Sequence, residues 1–440
     1  MHKVIIIFCL EGFLCWSFGM NNAPQSSCEL CSLWLMFINT LLLLVHISKK
    51  YAKYKKVVIE ALVLSLFLKV LLILWDYYGT DIFILPNSHA DSENYHLGAI
   101  AFSQYSVRRV ENYSYIIGVI YSLFGIQRMT AQYFNLLISF VGIDVFESTL
   151  RVIKFSEETR SRALVFAALL PNYLIISSIL IRECLISVII CFSMFFYTKW
   201  WIKEQYIYFL SAFILSLVAS YFHSGSIAIA IGISLTLILT KKYLGGRRVS
   251  FSVKSIALSV VGFFAFMFLF DVLQDSLLVR FHGLRMSAID EYINEHSIYE
   301  AKELQSTYTA GIPGISGLLG IIINSPIRMF YFLWVPLPWM IRGLGDIIAF
   351  FGSSLFYGGT PLVAFMRLKN KKKKHKIDDN TRAFCFAILL IALSGALVFA
   401  WGVDSAGSAL RHREKFYFVY LLLFAASSEV KRKIMYNTIR

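Results

Sequence analysis

The stretch VVIEALVLSLFLKVLLILW, residues 57–75, is an almost unbroken apolar run. It is long enough to cross the roughly 30 Å hydrocarbon layer of a bilayer, which takes about 20 residues of helix. Comparable runs recur along the whole chain, at 30–47, 131–150, 184–202, 224–240, 344–366 and 383–401 among others. A chain immersed in lipid must satisfy its backbone N–H and C=O groups internally, which leaves helices or a closed barrel. The runs are continuous rather than alternating, which excludes a transmembrane β-barrel. Composition agrees: 58% of the 440 residues are hydrophobic and only 16% charged, and mean hydropathy is +0.65. A soluble domain carries about a quarter charged residues. The expected fold class is all-α, a polytopic integral membrane protein in a single membrane domain spanning residues 1–440.

The net charge of +15 invites a nucleic-acid reading, but its distribution argues against one. The basic residues fall in short clusters between apolar runs: KKYAKYKK at 49–56, KKYLGGRR at 241–248, RLKNKKKKHK at 367–376 and KRK at 431–433. This is the positive-inside pattern, which orients a membrane protein and brings cations to anionic lipid. No nucleic acid is expected as a partner; membrane lipid is.

Placing those clusters in the cytoplasm yields a path of about twelve crossings with both termini inside. The crossings are 4–19, 30–47, 57–75, 131–150, 163–181, 184–202, 206–222, 224–240, 255–273, 344–366, 383–401 and 416–430. Two large external loops result, 76–130 and 274–342, and residues 367–382 form a basic cytoplasmic loop. YSYIIGVIYSLFG at 113–125 is left as an amphipathic or re-entrant helix at the outer surface. Pro326, Pro336 and Pro338 break any simple crossing in the second external loop. The N-terminal apolar stretch is interrupted by Glu11 and lacks an A-x-A-like site, so it reads as an uncleaved helix. Cys28 and Cys31 form a lone C-x-x-C with no second pair or nearby His, weak evidence for a metal or redox centre. No metal and no cofactor are expected.

Charges that played no part in building this path converge on its external face. Asp91 and Glu93 lie in HADSENYHLGAIAF of the first loop. Arg182 and Glu183 sit at the next outer turn, His223 at the one after, and Asp404, Arg411, His412 and Arg413 at the last. Ionisable groups near membrane depth need a partner or a ligand, which makes them functional candidates. The adjacent cations of Arg411-His412-Arg413 repel one another, and an anion such as diphosphate relieves that repulsion. The alternative readings are a solvated surface charge for Asp91 or Glu93 alone, and a structural hairpin pair for Arg182 and Glu183.

PNYLIISSILIRECLISVIICFSMFFYTKWW and YFLSAFILSLVASYFHSGSIAIAIGI resemble the middle of bacterial polysaccharide polymerases of the Wzy and EpsG type. DSENYHLGAIAF followed by YSYIIGVIYSLFG is similar to the first external loop of GT-C glycosyltransferases. PIRMFYFLWVPLPW, which contains Arg328, and GSALRHREKF resemble the C-terminal half of the same broad group. The resemblance spans roughly residues 76–420. The Arg-x10-Gly motif of some Wzy proteins has no counterpart, since Gly118 follows Arg108 one residue too soon.

The resemblance implies an enzyme of the bacterial cytoplasmic (inner) membrane that works on its outer face. Such an enzyme transfers a glycan chain between oligosaccharides carried on undecaprenyl diphosphate, in O-antigen, capsule or exopolysaccharide synthesis. A chain-length regulator and a flippase are the implied protein partners. A carboxylate within reach of the acceptor hydroxyl acts as base, and Asp91, Glu93, Glu183 and His223 are the candidates for acid–base work. Arg182, Arg328, Arg411, His412 and Arg413 are the candidates for binding the anionic substrate. The alternative is a GT-C transferase taking sugar from a polyprenyl monophosphate. More distant is a flippase or transporter, which predicts a midplane cavity and repeated halves.

Overall fold

A computed structural model describes residues 1–88, 91–105, 110–243, 246–249, 317–369, 379–403 and 405–439. The expected crossing at 255–273, most of the loop 274–342, most of the basic loop 367–382, and Asp404 lie outside the described residues. About 84% of the structure is helical, so the chain is all-α. Among the described residues, strands occur only in the antiparallel hairpin of β1 (Thr240–Tyr243) and β2 (Gly246–Val249). Six helices among the described residues are long and apolar enough to cross a membrane, as a helical polytopic membrane protein requires. The described residues divide into two compact units, the first holding Met1–Asp144 and Tyr173–Leu185, the second Val145–Asn172 and the described residues from Ile186 onward.

The first unit begins with α1 (His2–Ser17), α2 (Gln25–Lys50) and α3 (Lys56–Tyr78). Two shorter helices follow, α4 (Asp91–Tyr105) and α5 (Asn112–Phe124), and then α6 (Arg128–Val152). At 15 and 13 residues, α4 and α5 are too short to span the roughly 30 Å layer. They pack on each other, with Gly118 so close to α4 that a Cβ there would stand 2.4 Å from the Phe102 ring. From the other side α1 packs on α5, with the Phe8 and Phe124 rings 4.9 Å apart. The apolar run of α3 accommodates Lys69 by burying it completely. Its ammonium donates to Ser139 Oγ at 2.7 Å and lies over the Phe140 and Tyr173 rings.

Residues 163–181, expected as one crossing, are broken. The helix α7 (Glu157–Leu169) stops because Pro171 follows: Leu170 is pushed to an extended ψ of 117°, as the residue before a proline is. A six-residue helix, α8 (Pro171–Ile176), leads into non-helical backbone at 177–182. Buried carbonyls freed in this way need donors, and Asn135 Nδ2 supplies Ile179 O at 2.8 Å and Ile181 O at 3.1 Å.

The second unit contains α9 (Glu183–Lys203) from Ile186 onward, then α10 (Tyr206–Phe222) and α11 (Ala228–Leu239). Beyond the hairpin come α12 (Gly317–Trp334), α13 (Leu344–Lys369, with a π turn at Phe350–Ser354), α14 (Asp379–Gly402), α15 (Ala406–Glu414) and α16 (Tyr417–Ile439). The core is built on α14, which packs against α11, α12 and α16. Gly232 of α11 lets the two backbones meet, since a Cβ there would stand 2.7 Å from Ile391 Cα. Small residues serve helix contacts in lipid in this way.

Candidate functional site

Asp91 opens α4 and Glu93 lies two residues on, about 200° around the helix. Both carboxylates are favoured in the first turn, where the helix N-terminus is partly positive. Their surroundings differ.

Glu93 is held by Arg128, whose Nη1 lies 2.8 Å from Glu93 Oε2. Nη2 of the same guanidinium donates to Ser88 O at 3.1 Å and Ser92 Oγ at 2.8 Å, and stands 3.6 Å from Asp76. Asp76, itself buried, also accepts from Gln132 Nε2 and Ser88 Oγ. One turn beyond Glu93, His96 Nδ1 is 2.6 Å from the Tyr121 hydroxyl. Burial, reinforced by Arg128, pushes the His96 pKa down to about 4. This network pins the N-terminus of α4 to α6. Glu93, expected as a candidate base, is thus found in an ion pair with Arg128.

Asp91 shares its face of α4 with Tyr95, one turn on. The Tyr95 ring lies 5.6 Å from the Arg182 guanidinium and meets the Tyr113 ring edge-on at 5.0 Å. Arg182 in turn reaches Glu111 at 3.1 Å. Burial raises the Tyr95 phenol well above its ordinary range. Glu183 adds to the shift, Arg182 opposes it, and Glu111 and Asp91 contribute smaller upward effects. Three of the residues singled out in the sequence, Asp91, Arg182 and Glu183, therefore surround one tyrosine. Asp91 is half-buried, whereas Glu183 is 1% exposed, so solvent reaches the first far more easily.

The broken backbone before α9 sets the position of Arg182. The Tyr113 hydroxyl donates to Asn135 Oδ1 at 3.0 Å, and Asn135 holds the carbonyls of Ile179 and Ile181 as described above. A satisfied buried chain of this kind rigidifies what it touches.

In the second unit, the turn after α10 meets α15. The rings of His223 and His412 lie 5.0 Å apart, and Phe399 contacts both, at 5.1 and 5.2 Å. Lys415 donates to His412 Nδ1, so a neutral His412 keeps its proton on Nε2. Arg411 and His412 are half-buried. Arg328, also half-buried, lies 4.4 Å over the Trp401 ring, and the Trp401 indole donates to Ser325 Oγ at 2.9 Å.

Arg413 departs from the block of three expected to bind an anion. It is completely buried, and its two terminal nitrogens donate to Leu333 O and Val335 O, each at 2.6 Å. This ties α15 to the end of α12, a structural task for a guanidinium fork. Next to it, Glu414 accepts from Asn172 Nδ2 at 2.6 Å and from the Tyr357 hydroxyl at 3.0 Å. Burial lifts the Glu414 pKa to about 7 against the effect of these donors and of Arg413.

Tyr95, Arg128, Asp76, His96, Glu111, Asn135 and Lys415 were not singled out as functional from the sequence. The i, i+4 spacing of Asp91 and Tyr95 was an available signal; the long-range partners left none. Among the described residues, no three His, Cys, Asp or Glu side chains come together to hold a metal ion. No protein family, curated protein or solved structure matches this chain.

Proposed function

We propose that the chain is a membrane glycosyltransferase that polymerises oligosaccharide repeat units carried on undecaprenyl diphosphate. It works at the outer face of a bacterial cytoplasmic membrane, which it crosses about twelve times with both termini inside. The observation that carries this reading is the half-buried Asp91 on one helix face with Tyr95, beside Arg182. A sugar hydroxyl is a weak nucleophile, and Asp91 takes its proton as the hydroxyl attacks the anomeric carbon of the donor glycan. The bond from that carbon to the donor's diphosphate breaks, and undecaprenyl diphosphate leaves with the electron pair. Tyr95, buried with its phenol kept protonated, backs Asp91 from the next turn of the same helix face.

Both substrates of such a reaction carry a diphosphate. Arg411 and Arg328, as fixed cations, and the imidazoles of His412 and His223, as hydrogen-bonding groups, are suited to hold one. A transferase that takes sugar from polyprenyl monophosphate would use Asp91 in the same way. Arg411 adjoins His412 in sequence and Lys415 donates to it, and this basic cluster suits the larger diphosphate. Supply of substrate by a flippase and control of product length by a separate regulator belong to the same proposal.

The test is an assay in membranes with defined undecaprenyl-diphosphate-linked repeat units, resolving product length on gels. Polymer formed by the native chain and lost in Asp91→Asn supports the proposal. Transfer from polyprenyl-monophosphate sugar without polymer would replace it with the second reading, and no transfer from either donor would overturn both.

A further inference from the structure

Three cysteines gather where α1 and α2 meet. Cys15 lies on the last turn of α1, and Cys28 and Cys31 on the first two turns of α2. The adjacent pair in sequence is Cys28 and Cys31, but the contact is made by Cys15 and Cys31, with their sulfurs 3.6 Å apart. Cys28 is turned aside: it is buried, and its thiol lies 3.5 Å from Met20 O and 3.7 Å from Ala23 O. Two thiols in van der Waals contact need to close by only about 1.5 Å to reach the disulfide bond length of about 2.05 Å.

We infer that Cys15 and Cys31 form a native disulfide that staples the outer ends of α1 and α2, with Cys28 left as a thiol. The inference rests on the outward orientation proposed above for the α1–α2 turn and not on glycosyl transfer. On that side of a bacterial membrane thiols are oxidised. The reaction balances with a disulfide-bearing oxidant. One cysteine thiolate attacks the oxidant's disulfide and releases its first thiol. The other thiolate then attacks the resulting mixed disulfide and releases the second. The protein loses two protons and two electrons, and the oxidant leaves as a dithiol.

The staple lies beside the candidate site's support. Gly125, at the end of α5, has φ +88° and sits so close to Cys28 that a Cβ there would stand 2.6 Å from its sulfur. Gly12 of α1 is pressed against the Phe124 ring in the same way, at 2.8 Å. Since α5 packs on α4, the α1–α2 hairpin backs the helix that carries Asp91. Closing the loop between Cys15 and Cys31 removes freedom from the unfolded chain and keeps that backing in place.

The experiment uses the full-length chain in intact cells, quenched with acid, alkylated, digested and read by mass spectrometry. The expected result is a Cys15–Cys31 linked peptide that disappears on reduction. It should persist in Cys28→Ser and be absent in Cys15→Ser and Cys31→Ser. Alkylation of both thiols in the quenched cells would overturn the native disulfide. Treating isolated membranes with copper phenanthroline then separates two causes. Rapid linkage only after treatment would trace the failure to the orientation, and no linkage would trace it to the geometry. Polymer formation is not read in either arm, so failure of the proposed activity and failure of the staple remain distinguishable.

Discussion

Arg128 Nη1 lies 2.8 Å from Glu93 Oε2, and this pairing distinguishes the two carboxylates that open α4. The same guanidinium binds Ser88 O and Ser92 Oγ and stands 3.6 Å from Asp76, so it holds the first turn of α4 through Glu93. The helix is thereby anchored through one acid while the other faces Tyr95.

That division predicts different losses. Asp91→Asn keeps shape and hydrogen bonding but removes basicity, and should lower the polymerisation rate roughly a hundredfold or more with normal protein levels. Glu93→Gln should retain chemistry but cost about 1–3 kcal/mol of stability by weakening a charge-assisted bond to a largely buried arginine. Thermal unfolding in detergent, run beside the polymer gel, measures both. Full activity in Asp91→Asn would remove it as base.

Two neighbouring arginines of α15 should also separate. Arg411→Ala should insert and accumulate normally yet lose long polymer, with Lys rescuing only in part because it lacks the planar fork. Arg413→Ala breaks two buried charge-assisted bonds, each worth about 1.5–3 kcal/mol, and should be depleted from membranes before any activity is read. Immunoblotting of membrane fractions decides between these outcomes. Equal accumulation of the two variants would contradict the tie made by Arg413.

Glu414 sets a pH dependence. Its carboxyl ionises near the ordinary 4.5 when unfolded, but near 7 in the fold. The folded state therefore binds the proton more tightly. Its contribution to stability is complete below pH 4.5 and is lost as pH rises through about 7. The melting temperature in detergent should fall between pH 5 and pH 8, and Glu414→Gln, which cannot ionise, should flatten that slope. An unchanged slope would mean that another group governs it.

Topology is open to a direct check. Single cysteines introduced at 90–110 or 290–305 should react from outside with an impermeant thiol reagent, and ones at 370–376 should not. Labelling of the lysine run from outside would invert the orientation on which the outer-face chemistry depends.

The all-α membrane class was legible in the sequence because hydropathy is additive along a segment. The run at 57–75 cannot be solvated wherever it lies, and α3 accordingly appears at Lys56–Tyr78. Pro171 was legible too, although its effect, a break in the expected crossing 163–181, was not drawn from it. The sequence also put Asp91, Arg182, Glu183, His223 and His412 forward, through the rarity of charge near membrane depth. How such charges are paired and buried was decided by partners far away in the chain. Glu93 is paired with an arginine 35 residues on, Arg413 donates to carbonyls about 80 residues back, and Asn135 holds the backbone before Arg182. Side-chain identity fixes which charges a chain carries, whereas pairing and burial set whether a charge remains available, and those arise only when distant segments pack.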